Sequence, residues 1–275
     1  MSRRKSPLGA AFQRAMRSMT RATVRAGSKA VGKAMNTAVK AAVAQTAPPP
    51  GAGDWIAGQA LGAGGLRRWF LFRPHGVAHS ERLPLLVMLH GCGQTARSFA
   101  LSTRMNRIAA RERFLVLYPE QDRRVNPQGC WDWYGTGSGT AHAEAGTLMA
   151  AIDQICLLYP VDREAVALAG ISAGASMAAL LAAEHPERFR ALVMHSGVAP
   201  GAARSSASAL AAMRGRREPG LARVGVHPLP PLLVLHGSQD LVVAPNNGGA
   251  AAQLWAAACA ARAGEPRRVP RGRRR

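Results

Sequence analysis

The sequence predicts an α/β domain built on a doubly wound, mostly parallel sheet, and three observations predict it. Short, almost wholly apolar runs of strand length recur at Leu85–Leu89, Phe114–Tyr118, Ala165–Ala169, Ala191–His195 and Leu232–Leu235. That is the pattern of strands covered on both faces. Between them lie stretches of helical length and composition, and strand–helix alternation implies parallel strands joined by right-handed crossovers. Three of the runs lead into polar sequence, His90–Gln94, Ser172 and Asp240. The carboxyl ends of such strands are where a ligand site forms.

The 275 residues suffice for one large domain with a substantial core. A formal charge of +21 reads as a nucleic-acid signal until it is mapped: residues 1–46 carry +10, residues 262–275 carry +6, and the long middle only +5. The first 47 residues form an Ala-rich basic arm in which Phe12, Met16, Met19, Val31, Met35 and Val39 recur near helical spacing. The arm is expected to be an amphipathic helix or a solvated, disordered tail, with an anionic surface or a polymer granule as its partner. Its scarcity of aromatic residues argues against single-stranded nucleic acid. A Pro/Gly-rich linker, 48–53, separates it from the main domain, 54–260, and an Arg-rich tail, 261–275, follows.

Within the domain, Leu66–Arg73 is expected to be a strand, Ser98–Arg111 one helix, and Phe114–Tyr118 a strand stopped by Pro119. A Gly/Pro-rich loop then carries Cys130-Trp131-Asp132-Trp133-Tyr134, ahead of a helix near Ala143–Leu158. Ser196–Pro231 lacks hydrophobic periodicity and reads as a loop, and a last helix covers Gln253–Ala256.

Between the strand at Ala165–Ala169 and an Ala/Leu/Met helix lies Gly170-Ile171-Ser172-Ala173-Gly174, a G-x-S-x-G in strand–turn–helix context. This is the sharp turn that presents a nucleophilic serine. Glycines two residues to each side relieve the crowding, and the Ala173 N–H at the helix start is placed to bind an oxyanion. The Gly-rich His90-Gly91-Cys92-Gly93 loop offers a second donor, for which the Cys92 N–H is the choice; a simple tight turn is the alternative. Asp240, five residues past a strand, takes the place of the acid in the order nucleophile, acid, histidine, with a plain turn aspartate as the alternative.

Cys92, Cys130, Cys156 and Cys259 show neither a C-x-x-C pair nor zinc-ligand spacing. They read as free buried thiols, or as one Cys92–Cys130 disulfide in an oxidising compartment, where the two loops meet over the active site. The sequence contains no apolar run of transmembrane length, and its N-terminus lacks the continuous apolar stretch of a signal peptide.

The blocks LLVMLHGCGQTARSFALSTRMNRIAA, FLVLYPEQ, CWDWY, AGISAGASMA, HPERFRALVMHSGVA and LLVLHGSQDLVVAPNN together resemble the PHB depolymerase family of esterases, from about Leu66 to Ala260. These α/β-hydrolases include polyhydroxybutyrate depolymerases, feruloyl esterases and acetylxylan esterases. The resemblance implies ester hydrolysis through a serine acyl-enzyme without metal or cofactor. It assigns Ser172 as nucleophile and Asp240 as acid, and lines the ester cleft with Trp131 and Trp133, for which buried core tryptophans are the alternative. It also implies a family that is often secreted.

Two departures stand out. The segment Gly139-Thr140-Ala141-His142-Ala143-Glu144 replaces an Arg-Gly-x-Gly-Glu-like stretch, and no histidine follows His236, whereas the family places its catalytic histidine tens of residues after the acid. The tail after Ala260 looks like a shifted frame or an early end, so the sheet is expected to lack its last strand and helix. The serine is then without its base, and hydrolysis is expected to be weak or absent. His142, on what reads as a loop, is the only other histidine with freedom to move. A non-catalytic surface- or polymer-binding protein and a serine peptidase of the same fold are the rival readings.

Overall fold

A computed structural model of the chain describes residues 48–78, 80–221 and 228–270. The basic arm lies outside the described residues, as do the last five positions of the tail. From Pro49 onward the chain forms one compact unit.

In chain order the elements are β1 (Gly53–Gly62), β2 (Gly65–Pro74), β3 (Leu83–Leu89), α1 (Ala96–Thr103), α2 (Met105–Glu112), β4 (Leu115–Glu120), α3 (Thr140–Leu158), β5 (Val161–Ile171), α4 (Ala173–Glu184), β6 (Ala191–His195), α5 (Ser206–Met213), β7 (Leu232–Leu235) and α6 (Asn246–Ala258). They build a seven-stranded sheet ordered β1-β2-β4-β3-β5-β6-β7. β1 and β2 are antiparallel to each other and β2 to β4, while β4, β3, β5, β6 and β7 run parallel. The expected doubly wound, mostly parallel sheet is therefore present. Its larger core packs α3 and α4 against one face through Leu148, Ile152, Met177 and Leu181, and a smaller cluster around Phe72, Phe99, Val116 and Tyr118 fills the other.

The departures from expectation are local. β1 was assigned to no element, because GDWIAGQALG is too rich in glycine to read as a strand. Gly58 is needed where it stands: a Cβ there would lie 2.2 Å from the Trp69 ring of the paired strand. β4 does not stop at Pro119 but runs to Glu120, with Pro119 opposite Trp69. Its pairing with β3 ends at Leu117, opposite Val87, so the missing N–H forfeits no ladder bond on that side. The single helix expected at Ser98–Arg111 is two, broken at Arg104, whose φ of 55° is left-handed. The Thr103 hydroxyl bonds back to the Phe99 carbonyl at the end of α1, a side-chain habit that competes with helix continuation. The new direction lets Asn106 accept from the buried Tyr118 hydroxyl at 2.8 Å. The stretch 196–231 holds helix α5, capped by reciprocal Ser205 and Ser208 bonds. Only Ala209 and Ala212 of α5 are buried, too faint a stripe to register as periodicity.

β7 is the edge of the sheet among the described residues, and its alternate side chains Leu233 and Leu235 are 54% and 44% exposed. Residues 261–270 run on without helix or strand, exposed throughout.

Candidate active site

Ser172 sits where β5 turns into α4, with φ 54° and ψ −124°. Non-glycine residues rarely occupy such backbone, and holding one there costs roughly 1–3 kcal/mol. The turn is held from both sides. Ser172 N–H donates to the His195 carbonyl at the end of β6 (2.9 Å), and Ser172 C=O accepts from Ala175 and Ser176 in the first turn of α4 (3.0 and 3.1 Å). Both flanking glycines are there because of close backbone approach. A Cβ on Gly170 would lie 2.4 Å from the Gly174 carbonyl carbon, and one on Gly174 would lie 2.2 Å from the Leu89 oxygen and 2.4 Å from that of His90. The second contact brings the loop after β3 against the serine turn.

That loop is His90–Gln94. Its Cys92 is joined by a disulfide to Cys130, so of the two readings for these cysteines the bonded one is found, while Cys156 and Cys259 are free. Gly93 exchanges further bonds with the 121–130 loop: its N–H donates to the Gln128 carbonyl (2.8 Å) and its carbonyl accepts from Arg123 (2.9 Å). Among the described residues neither the Cys92 N–H nor the Ala173 N–H has a hydrogen-bond partner. Ala173 opens the helix directly after Ser172, and Cys92 lies in the loop that packs against the serine turn.

Trp131 is not a cleft-lining residue. It is fully buried, its indole N–H donates to the His90 carbonyl (2.8 Å), and the Arg67 guanidinium lies 5.2 Å over its ring. Trp133 is also buried, edge-on to Tyr134. The core alternative describes Trp131; it supports the loop from beneath.

Under these loops is a polar cluster that sequence reasoning missed. Arg67 from β2, 1% exposed, pairs with Glu144 from α3 at 2.8 Å. The other Glu144 oxygen accepts from Asp132 N–H (2.6 Å), and the Gln121 side chain bonds Arg67, Glu144 and the Cys130 carbonyl. Burial pushes the Glu144 carboxyl up, and the Arg67 charge and the hydrogen bonds pull against it. A signal for Glu144 was available: it falls among Ala141, Ala145, Leu148 and Ile152, on the buried stripe of α3, where an acid needs a partner. So the segment that departs from the family pattern still delivers a buried glutamate.

Asp240 lies beyond β7. One carboxylate oxygen accepts from Val242 and Val243 N–H, each at 2.9 Å, the bonds of a turn aspartate. Desolvation raises its pKa, but the bonds from Val243, Val242 and the Ser196 hydroxyl, with His236 nearby, hold it below the ordinary carboxylate value.

Three of the histidines have hydrogen-bonded rings. Both ring nitrogens of the buried His90 are hydrogen-bonded, and desolvation, helped by Arg67 and Arg123, lowers its pKa to about 4. His236 Nε2 bonds the Val243 carbonyl (2.9 Å) and stays 3.7 Å from Asp240. His142 lies in the first turn of α3 rather than on a loop, and is bonded to Glu184 at the end of α4. His195 is exposed at the end of β6, and His79 and His227 lie outside the described residues. Among the described residues no imidazole is hydrogen-bonded to Ser172.

A family model described as "Esterase PHB depolymerase" matches residues 67–271. The chain belongs to this family. The match extends into the Arg-rich tail, further than the motifs alone carried it. Among curated relatives, a poly(3-hydroxyalkanoate) depolymerase C of Paucimonas lemoignei is 32% identical over 179 residues, which are 60% of this chain and 42% of that protein. A feruloyl esterase B of Neurospora crassa is 34% identical, covering 52% and 48%. The chain thus spans about half the length of these relatives. Among solved structures, an acetyl xylan esterase from Aspergillus awamori superposes with a TM-score of 0.62 at 21% identity, over 74% of this chain and 80% of that one. This last likeness shows the shared α/β fold.

Proposed function

We propose that the chain is a serine carboxylic ester hydrolase, working through an acyl-enzyme on Ser172. In this reading the Cys92 and Ala173 N–H groups bind the oxyanion and Asp240 is the acid. The observation that carries it is the left-handed, doubly anchored turn at Ser172, with two unengaged backbone donors beside it. The names of the relatives point to a short-chain polyhydroxyalkanoate, or a feruloyl or acetyl ester, as substrate. Among the described residues no imidazole is hydrogen-bonded to Ser172, and the rings of His90 and His236 are engaged in other bonds, so turnover by this chain is expected to be weak. That same observation favours a second reading, a polymer- or surface-binding protein without catalysis.

p-Nitrophenyl butyrate separates the two. The wild type is expected to release p-nitrophenol slowly but above the Ser172→Ala variant. Equal rates for the two proteins would discard the esterase reading in favour of the binding one.

A further inference from the structure

His90 directly follows β3 and has no solvent exposure. Its Nε2 lies 3.1 Å from the Gln121 backbone nitrogen, which can only donate, so Nε2 presents a lone pair and carries no proton. The proton of the neutral ring is therefore on Nδ1, which lies 2.8 Å from the Gly91 carbonyl oxygen and donates to it. The Gly91 C=O and the Cys92 N–H belong to one planar peptide, trans like every other in the described chain. In such a unit the two groups point in opposite directions, so holding one fixes the other.

We infer that His90 is a positioning residue: its Nδ1–H clamps the Gly91 carbonyl and thereby aims the Cys92 N–H at the oxyanion. This rests on the esterase reading for the oxyanion and on the bond geometry for the clamp. The ring cannot swivel, because its own carbonyl receives the Trp131 indole N–H and its Nε2 is fixed by Gln121. Gln121 in turn is tied to the Cys130 carbonyl, whose residue is bonded to Cys92. Burial, with the Arg67 and Arg123 charges adding to it, disfavours a second ring proton, so the ring stays neutral at pH 7 with its donor on Nδ1. The buried polar cluster thus reaches the reaction through one imidazole.

Two measurements test it. Nitrogen-15 NMR of the imidazole in the resting protein at pH 7 should find His90 neutral with its proton on Nδ1; an Nε2–H tautomer or an imidazolium would overturn the clamp. Because this is read without substrate, it decides the clamp even where turnover is too slow to compare. In kinetics, His90→Phe fills the volume without a donor and should lower kcat about tenfold or more with KM within twofold, somewhat less than deleting an oxyanion donor outright. His90→Asn, whose amide places an N–H near the Nδ1 position, should recover most of the loss. An unchanged kcat in His90→Phe, or an Asn variant no better than Phe, refutes the positioning role. If Ser172→Ala matches the wild type instead, the nucleophile assignment fails while the tautomer result still judges the clamp.

Discussion

On the β3–β4–β5 side of Ser172, every backbone segment near the serine has several independent anchors. The Gly174–Leu89 contact, the His90 bonds and the Arg67–Glu144 pair act within buried surroundings, and the Cys92–Cys130 disulfide ties the loops together nearer the surface. On the β6–β7 side, Asp240 follows a four-residue edge strand with half its side chains exposed, held by two turn amides. In the proposed site the oxyanion donors would belong to the rigidly anchored interior of the sheet. The proposed acid would depend on what is assembled at the edge, the less determined of the two sides.

The largest effect should come from striking the rigid side. Gly174→Val places side-chain atoms on the Leu89 and His90 carbonyls, backbone that cannot step aside. It should cost more than about 3 kcal/mol in urea unfolding, beyond the usual range for a single substitution. A loss under 1 kcal/mol would show that the loop after β3 is not pinned against the elbow. Glu144→Ala comes next. It strands the buried Arg67 charge and is expected to cost about 3–5 kcal/mol. The double variant Arg67→Met/Glu144→Leu should recover most of that, because removing both charges leaves none unpaired. A double variant as unstable as the single would mean that the shape of the pair matters, not its charge.

What the sequence made legible on the two sides differs for the same reason. The apolar runs and G-x-S-x-G are local patterns, so the parallel strands and Ser172 could be read directly. The Arg67–Glu144–Gln121 cluster joins β2, α3 and the end of β4, and its members are legible only once the sheet brings them together. Glu144 alone left a trace, as an acid on an apolar helical stripe. Trp131 misled because a tryptophan in a loop beside a site reads the same whether it faces substrate or packs beneath. β1 and α5 escaped because glycine and alanine carry little periodic signal. The position of Asp240 was readable from its spacing after a strand, but its double duty as a turn residue was not.

A smaller effect separates those two duties. The Asp240 carboxyl is held below its ordinary value of 3.8, so in the folded protein it stays ionised to lower pH than in the unfolded chain. Its contribution is therefore fully present above pH 4 and is lost as pH falls through the folded-state value. Asp240→Asn should unfold in less urea than wild type at pH 6, and the gap should narrow toward pH 3. A gap that stays constant with pH would assign the stabilisation to the turn bonds, which asparagine can also accept, and not to the charge.

The smallest effect on stability is expected at the edge itself, and it sharpens the comparison most. Leu233 is more than half exposed on β7, where unpaired strand backbone lies beside an apolar side chain, the combination that invites strand addition by another chain. Leu233→Lys puts a charge on that edge without disturbing the core face, which Leu232 and Val234 occupy. Urea stability should stay within about 0.5 kcal/mol of wild type, as for other surface substitutions. Light scattering at high protein concentration should fall clearly, because a lysine on an edge opposes pairing between copies. A matching substitution on the opposite edge, Leu61→Lys on β1, is the control: Leu61 is even more exposed but lies on a strand whose other side is paired over its whole ten-residue length. If both substitutions reduce scattering equally, association follows general surface apolarity. If only Leu233→Lys does, the β7 edge is the sticky one, and the weakness of this molecule is concentrated on the side that carries the proposed acid.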